Sequence, residues 1–228
     1  MAADIQTFRA SYRAAIHPWY RVWLHVGVIA AYALLCLTFF ASQLHRLAGL
    51  EWLAVPLTIV LANFGEYFLH KYLGHRPQRI APLFYHRHTV EHHHFFDEQH
   101  MVFETARDWR VIVFPPYAIV LLSVALWLGW GLLRHLNANG AALFALTGLG
   151  SYLMYEFFHA VAHLADDNPL KRLPWLHQMG RLHQLHHRRK LMGARNFNLW
   201  LPLADWLCGT LYWDAGATAR SAEEASVK

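Results

Sequence analysis

The stretch VWLHVGVIAAYALLCLTFFA at residues 22–41 is the longest apolar run in the chain, and its few polar side chains form no helical stripe. About 20 apolar residues suffice to cross the hydrocarbon core of a bilayer as a helix. A helix of a soluble bundle would instead carry a polar face that repeats about every 3.6 residues. We therefore interpret this run as a membrane span, together with three further apolar stretches at residues 52–69, 111–133 and 141–158.

The composition agrees with a membrane protein. The 228 residues are 56% hydrophobic and 15% charged, whereas an ordinary soluble domain has about 25% charged residues. With two cysteines and this much apolar content, a disulfide scaffold, a collagen-like chain and a disordered chain are excluded. The sequence predicts an all-α integral membrane protein with about four transmembrane helices and a cytoplasmic histidine-rich helical cap, forming one domain over residues 1–228.

The basic residues predict the orientation of these helices. Eighteen of the 20 Lys and Arg residues lie in the N-terminal tail, in residues 70–110 and after residue 158, and two lie in the short loops between. The positive-inside rule then places both termini, the 70–110 segment and the 159–228 cap in the cytoplasm, with the transmembrane helices within residues 22–158. The membrane would be a bacterial inner membrane or the endoplasmic reticulum. Topology alone explains the net charge of +5, so we expect no nucleic-acid partner.

Residues 1–21 are predicted to form an interfacial N-terminal segment. Its aromatic residues Phe8, Tyr12, Trp19 and Tyr20 are of the kind that lies at headgroup depth.

Fourteen of the 18 histidines fall in residues 70–110 or after residue 158, on one predicted side of the membrane. Ten of them form four boxes, HKYLGH at residues 70–75, HTVEHH at 88–93, HAVAH at 159–163 and HQLHH at 183–187. Spacings of three and four residues place side chains on one helix face. His70 and His75 are five apart, so a wider turn or a break near Gly74 would be needed to bring them together.

Such a set of imidazoles indicates a metal site, because neutral imidazole is a ligand for zinc, copper, iron and nickel. Two ions could use four or five side chains each. The predicted metal ligands are His70, His75, His88, His92, His93, His159, His163, His183, His186 and His187.

Other metal chemistries fit less well. The helical zinc-hydrolase signature HExxH is missing its glutamate in HAVAH. A bis-histidine haem protein would place histidines in mid-membrane rather than at one interface. A non-catalytic membrane metal-binding protein, such as a zinc sensor or transporter, stays open, although a transporter would carry polar residues at mid-membrane depth.

The four boxes resemble those of the fatty acid hydroxylase superfamily of membrane di-iron enzymes, which includes sterol desaturases and fatty acid 2-hydroxylases. The resemblance runs from about residue 60 to 213 and includes Phe114-Pro115-Pro116, Tyr155-Glu156 and the stretch DWLCGT at residues 205–210. The second box has three residues between its first two histidines where the commoner form has two. His86 or His94 could therefore replace a named ligand, as could His177.

The resemblance implies that two iron ions, for which zinc can substitute, use O2 to hydroxylate an unactivated C–H bond of a fatty acyl chain or sterol-like lipid. Desaturation by the same site is the alternative. The lipid would come from the bilayer. These residues include no recognisable cytochrome b5 domain, so electrons would come from a separate donor such as a ferredoxin or a cytochrome b5-like protein.

Two acidic residues are the predicted catalytic partners of the metal ligands. Glu66 precedes His70 by four residues and Glu156 precedes His159 by three. A carboxylate in a membrane segment is energetically costly, so we interpret both residues as functional. We expect them to hydrogen-bond the second ring nitrogens of the ligands.

Overall fold

The computed structural model describes residues 2–214, and all regular secondary structure in that range is helical. This confirms the predicted all-α class, while residues 215–228 of the predicted cap lie outside the described residues. The described α-helices are α1 Ala2–Ala15, α2 Val22–Ser42, α3 Ala54–Phe68, α4 Pro82–Tyr85, α5 His93–Phe95, α6 Trp109–Ile112, α7 Pro116–Leu133, α8 Ala138–Ala162, α9 Pro174–His186 and α10 Leu203–Leu207. Short 3₁₀ segments cover Gly49–Leu53, Ala106–Asp108 and Pro169–Arg172, and π-helical segments cover Leu69–Gly74 and His86–His92.

Within residues 2–214, four helical segments are long and apolar enough to cross a membrane, and residues 113–115 interrupt the third of them. They contain the four apolar stretches predicted from the sequence, and their mean hydropathies range from 1.2 to 2.3. Many of their apolar side chains face outward, as Leu34 and Leu35 do at 65% and 70% exposure. Outward apolar side chains in such numbers require a lipid environment. The segments are Val22–Ser42, Gly49–Gly74, Ala106–Leu133 and Ala138–Ala162.

Helix α8 is the central helix of the bundle and packs against α2, α3 and α7. Glycines bring α7 and α8 close together. A Cβ atom added to Gly148 of α8 would lie 2.6 Å from Leu126 Cδ2, and one added to Gly129 of α7 would lie 2.6 Å from Phe144 Cε1. Small residues at a helix contact allow this approach, which increases van der Waals contact where no water is available to drive association.

The two short loops meet at one end of the bundle. The buried Asn139 side chain accepts a hydrogen bond from the His45 amide (2.9 Å) and donates to Glu51 Oε2 (2.9 Å). All four histidine boxes lie at the other end, where α9 packs on the end of α8. The connections between the long helices therefore alternate between the two ends of the bundle.

Helix α1 packs on the histidine-rich end rather than standing apart from the protein. Tyr12 is 8% exposed, and its hydroxyl accepts a hydrogen bond from Arg110 Nη1 (2.6 Å) and lies 3.2 Å from Glu91 Oε2. The Tyr12 ring therefore packs within the protein. Trp19, in contrast, is 82% exposed.

Candidate metal centre

Nine of the ten histidines predicted as ligands converge into two neighbouring groups of imidazoles, all buried except the half-buried His75. In each group, one ring nitrogen per histidine lies within 4.8 Å of all the others. His159 borders the second group, with its Nε2 3.1 Å from His92 Nε2. The first histidine group consists of His70, His75, His88, His93 and His186. The second histidine group consists of His92, His163, His183 and His187.

The two π-helical segments explain why histidines five residues apart meet. Hydrogen bonds in a π-helix run from residue i to i+5, so side chains five apart lie above one another. His70 lies within the Leu69–Gly74 π-helix and His75 follows its last residue, and their rings stack with centroids 5.1 Å apart. This is the wider turn that their spacing required. His88 and His93 flank a similar turn in the His86–His92 segment, and their Nε2 atoms are 3.1 Å apart.

The division between the groups does not follow α-helical spacing. His88 and His92 are four residues apart, yet His88 lies in the first group and His92 in the second. Likewise, His186 lies in the first group, whereas His183 and His187 lie in the second. The π-helical turn accounts for the first difference. At the end of α9, the two groups lie side by side, so neighbouring residues reach different groups.

The three alternative ligands lie outside both groups. The His86 side chain is 53% exposed and lies 3.5 Å from Glu91 Oε1. His94 Nδ1 donates to the Thr89 carbonyl (3.0 Å), and His177 is exposed on α9. The extra residue in the second box is accommodated by the π-helical turn, so no substitute ligand is required by the geometry.

Backbone carbonyls fix the proton position on five of the ten rings. Each of these rings donates its Nδ1 hydrogen to a carbonyl oxygen, which leaves Nε2 as an unprotonated lone pair in the neutral ring. Backbone carbonyls are common partners of the second nitrogen of metal-bound histidine. The pairs are His70 with Phe197 (2.5 Å), His92 with Val111 (3.0 Å), His163 with Met101 (2.7 Å), His186 with Arg195 (2.8 Å) and His187 with Phe96 (3.0 Å).

The contact between His92 and His187 is the most informative in the centre. Both rings donate through Nδ1, yet their Nε2 atoms lie 3.1 Å apart. Burial lowers the pKa of both imidazoles well below the ordinary value, so neither ring carries a second proton at neutral pH. Two lone pairs facing each other repel, and a cation bound between them removes this repulsion. The donor set therefore fits a metal ion.

The spacing of the nitrogens also fits a metal ion. A metal–imidazole bond is about 2.0–2.1 Å, so two ligands at a right angle have nitrogens about 3 Å apart. The Nε2 separations are 2.8 Å for His70 and His88, 2.9 Å for His75 and His186, and 3.1 Å for His183 and His187. Burial also lowers the pKa of His186 to about 4, which keeps this ring neutral and available as a ligand.

A short loop at residues 195–199 supports the first histidine group from outside. The carbonyls of Arg195 and Phe197 accept the His186 and His70 hydrogens. Between them, Asn196 has φ 55°, in the left-handed region that asparagine tolerates better than most residues. Its buried side chain bonds the Tyr212 backbone at both N (2.7 Å) and O (2.9 Å).

Helix α3 holds this loop through side chains that sequence reasoning missed. Asn63 is fully buried, donates to the Leu201 carbonyl (2.5 Å) and accepts from the Ala204 amide (2.8 Å). Asn198 and Asp205 exchange backbone-to-side-chain bonds of 2.6 and 3.1 Å. In the sequence, only the resemblance of DWLCGT at residues 205–210 to the family pattern pointed to this part of the chain.

The two predicted acidic residues lie near the centre but bond other partners. Glu66 Oε1 accepts from the Leu199 amide (2.5 Å), in the loop that holds His70. Glu156 accepts from the Tyr152 hydroxyl (2.6 Å) and from the Phe114 amide (3.4 Å). The expectation that these carboxylates hydrogen-bond imidazole nitrogens is wrong, since backbone carbonyls take that position on five of the rings.

A small cavity lies between the two groups and the start of α7. It has a volume of about 10 Å³ and is lined by His88, His92, His159 and residues 111–114. This is room for about one water-sized molecule. Histidines of both groups therefore line the same small space.

Comparisons with known proteins agree with this arrangement. A model of the fatty acid hydroxylase family matches residues 55–210. A solved structure described as full-length scs7p, with only the hydroxylase domain visible, is similar at a TM-score of 0.59 and 20% sequence identity. The similarity covers 84% of this chain and 67% of that chain. At this identity the likeness shows the fold alone. No match was found among curated proteins.

Proposed function

This chain belongs to the fatty acid hydroxylase family, and from that premise we propose that it is a membrane di-iron oxygenase that hydroxylates an unactivated C–H bond of a lipid. The observation that carries the proposal is the contact between the unprotonated Nε2 atoms of His92 and His187, which lie 3.1 Å apart. Both rings belong to the second of two adjoining histidine groups. Facing lone pairs of this kind favour bound metal over a scatter of structural histidines.

In this proposal the ten histidines are the metal ligands, five in the first group and His159 with the four of the second. Two iron ions bound there would supply the O2-dependent oxidation of a C–H bond. The imidazoles remain neutral and exclude water by their burial, and backbone carbonyls keep the Nε2 atoms of five of them directed inward. Nine of the ten ligands are less than 9% exposed, so the groups are shielded from solvent.

Glu66 and Glu156 act through the backbone in this proposal. Glu66 holds the Leu199 amide and so the loop that carries the acceptor for His70. Glu156 holds the Phe114 amide beside the small cavity at the start of α7. We treat both as positioning residues, because their carboxylates bond amides and a hydroxyl rather than imidazole rings.

The lipid would approach from the bilayer, because His70 and His159 lie at the ends of two segments that are apolar enough to span it. The histidine-rich end would face the cytoplasm, since 18 of the 20 Lys and Arg residues belong to segments at that end or to the termini. Electrons would come from a separate acidic donor such as a ferredoxin or a cytochrome b5-like protein. Exposed basic residues next to the second group, Arg189 and Lys190, support such docking.

Lipid mass spectrometry of cells that express the chain tests the proposal. We expect one lipid class to gain an oxygen atom with the wild type and not with His186→Ala, which removes a ligand of the first group. His135→Ala is the matched control, because His135 is exposed at the opposite end of the bundle. Loss of two hydrogens would indicate a desaturase instead. Unchanged lipids from a chain that binds iron would indicate a non-catalytic metal-binding protein.

A further inference from the structure

Helix α1 lies outside the family match at residues 55–210. One of its side chains nevertheless bonds the backbone next to the carbonyls that accept hydrogen bonds from the second histidine group. Arg9 is 2% exposed, and all three nitrogens of its guanidinium bond residues more than 85 positions away. Nε donates to the Phe95 carbonyl (2.9 Å), Nη2 to the His100 carbonyl (2.7 Å) and Nη1 to Glu104 Oε1 (2.6 Å). Burying a charge is costly, so a buried arginine with this many partners indicates a specific role.

Each carbonyl held by Arg9 lies one residue before a carbonyl that receives an imidazole. Phe95 precedes Phe96, whose carbonyl accepts the His187 Nδ1 hydrogen. His100 precedes Met101, whose carbonyl accepts the His163 Nδ1 hydrogen. The guanidinium therefore fixes the backbone at two points, and each point sets the position of an acceptor for the second group.

Aromatic packing forms a second connection between Arg9 and this group. The guanidinium carbon lies 5.4 Å from the centre of the Phe96 ring. The Phe96 ring also lies against the His163 ring, with centroids 4.1 Å apart and planes 33° apart. Removing the guanidinium would free both the carbonyls and the ring against which His163 packs.

We propose that Arg9 is a positioning residue for the second histidine group and that α1 is part of the metal centre. The proposal rests on the metal-binding role given above for the two groups. The first group has a different support, the 195–199 loop held by α3. Loss of Arg9 therefore weakens metal binding by the second group and leaves the first group intact. Arginine suits this position because its planar guanidinium holds its N–H donors in a fixed fork aimed at three acceptors, whereas the ammonium of lysine is a point charge on a flexible stem.

The test measures metal ions per folded chain in detergent, after size-exclusion chromatography, for the wild type, Arg9→Met and Arg9→Lys. Methionine keeps much of the side-chain length and removes every donor. We expect about two ions in the wild type and about one in Arg9→Met, with Arg9→Lys between them. Arg21→Met is the matched control, because Arg21 is exposed and its guanidinium bonds only the nearby Pro18 and Tyr20 carbonyls.

Two double variants identify the group that loses its ion. His186→Ala removes a ligand of the first group, and His183→Ala removes one of the second. Arg9→Met combined with His186→Ala should retain almost no metal, whereas Arg9→Met combined with His183→Ala should retain about one ion. The reverse order would overturn the assignment of Arg9 to the second group.

A purely structural role for Arg9 gives a different result. In that case fewer chains fold, but each folded chain keeps both ions, and this outcome overturns the proposal. Where Arg9→Met yields no folded chain, Arg9→Lys decides, since two ions per folded chain in that variant also overturn it. A wild type that binds no metal would instead refute the proposed function itself.

Discussion

Asn196→Ala is expected to lower the free energy of unfolding by about 3–4 kcal/mol. The asparagine side chain makes three hydrogen bonds, a buried one to the Leu182 carbonyl and two partly buried ones to the amide and carbonyl of Tyr212. Each bond contributes about 1 kcal/mol. The left-handed backbone at φ 55° costs alanine about 1 kcal/mol more than it costs asparagine or glycine.

The same variant should impair metal binding by the first histidine group. The carbonyls of Arg195 and Phe197, on either side of Asn196, receive the His186 and His70 hydrogens. A change of backbone angle between them rotates both acceptors. Asn196→Gly loses the same hydrogen bonds without the backbone strain, so it should be about 1 kcal/mol less destabilised than Asn196→Ala and should retain more metal.

Chemical unfolding in detergent micelles and metal analysis of the folded fraction measure these effects. Asn137→Ala serves as the control, because it removes one exposed capping bond to the Gly140 amide at the opposite end and should leave the metal content unchanged. Equal destabilisation by alanine and glycine would refute the backbone part of the reasoning. Wild-type stability in both variants would refute the hydrogen-bond part as well.

Three further predictions follow from the site. Removing the metal with a chelator should lower the thermal unfolding midpoint, because the Nε2 lone pairs of His92 and His187, 3.1 Å apart, then face each other. An unchanged midpoint would contradict the proposal that these rings bind a metal ion. Glu156→Ala should reduce lipid hydroxylation by about tenfold or more while the chain still inserts into the membrane. Full activity in this variant would show that Glu156 is not a positioning residue. Burial opposes ionisation of Glu104, but hydrogen bonds and charges from Arg13 and Arg9 outweigh it and lower the pKa of Glu104. This stabilisation is present above the unfolded-state value of about 4.3 and is lost as the pH falls through the lowered folded-state pKa. The stability advantage of the wild type over Glu104→Gln should therefore shrink on acidification, and an advantage that is independent of pH would contradict the ion pair.

The membrane helices could be predicted because the bilayer requires long apolar runs, which composition alone reveals. The convergence of the ten histidines could also be predicted from their boxes. Their division into two groups could not, because it depends on the hydrogen-bond pattern of the helix. His88 pairs with His93 rather than His92 only because the segment is π-helical, and no residue in HTVEHH signals that turn.

The supports of the histidines were also beyond sequence reasoning. Glu66 and Glu156 were identified by their distance from a histidine, but their hydrogen bonds go to the Leu199 and Phe114 amides. Asn63, Asn196 and Arg9 lie outside the histidine boxes, and they act through backbone carbonyls that only the folded chain brings into place. The sequence shows which side chains carry the chemistry, and tertiary contacts decide how they are held.

Two histidine pairs that are adjacent in sequence, His92 with His93 and His186 with His187, each divide between the two groups. During evolution, an insertion or deletion near either pair would shift ligands of both groups at once. Point substitutions in the separate supports could tune one ion without the other, but a change of chain length could not. The two halves of the centre are therefore expected to be inherited or lost together.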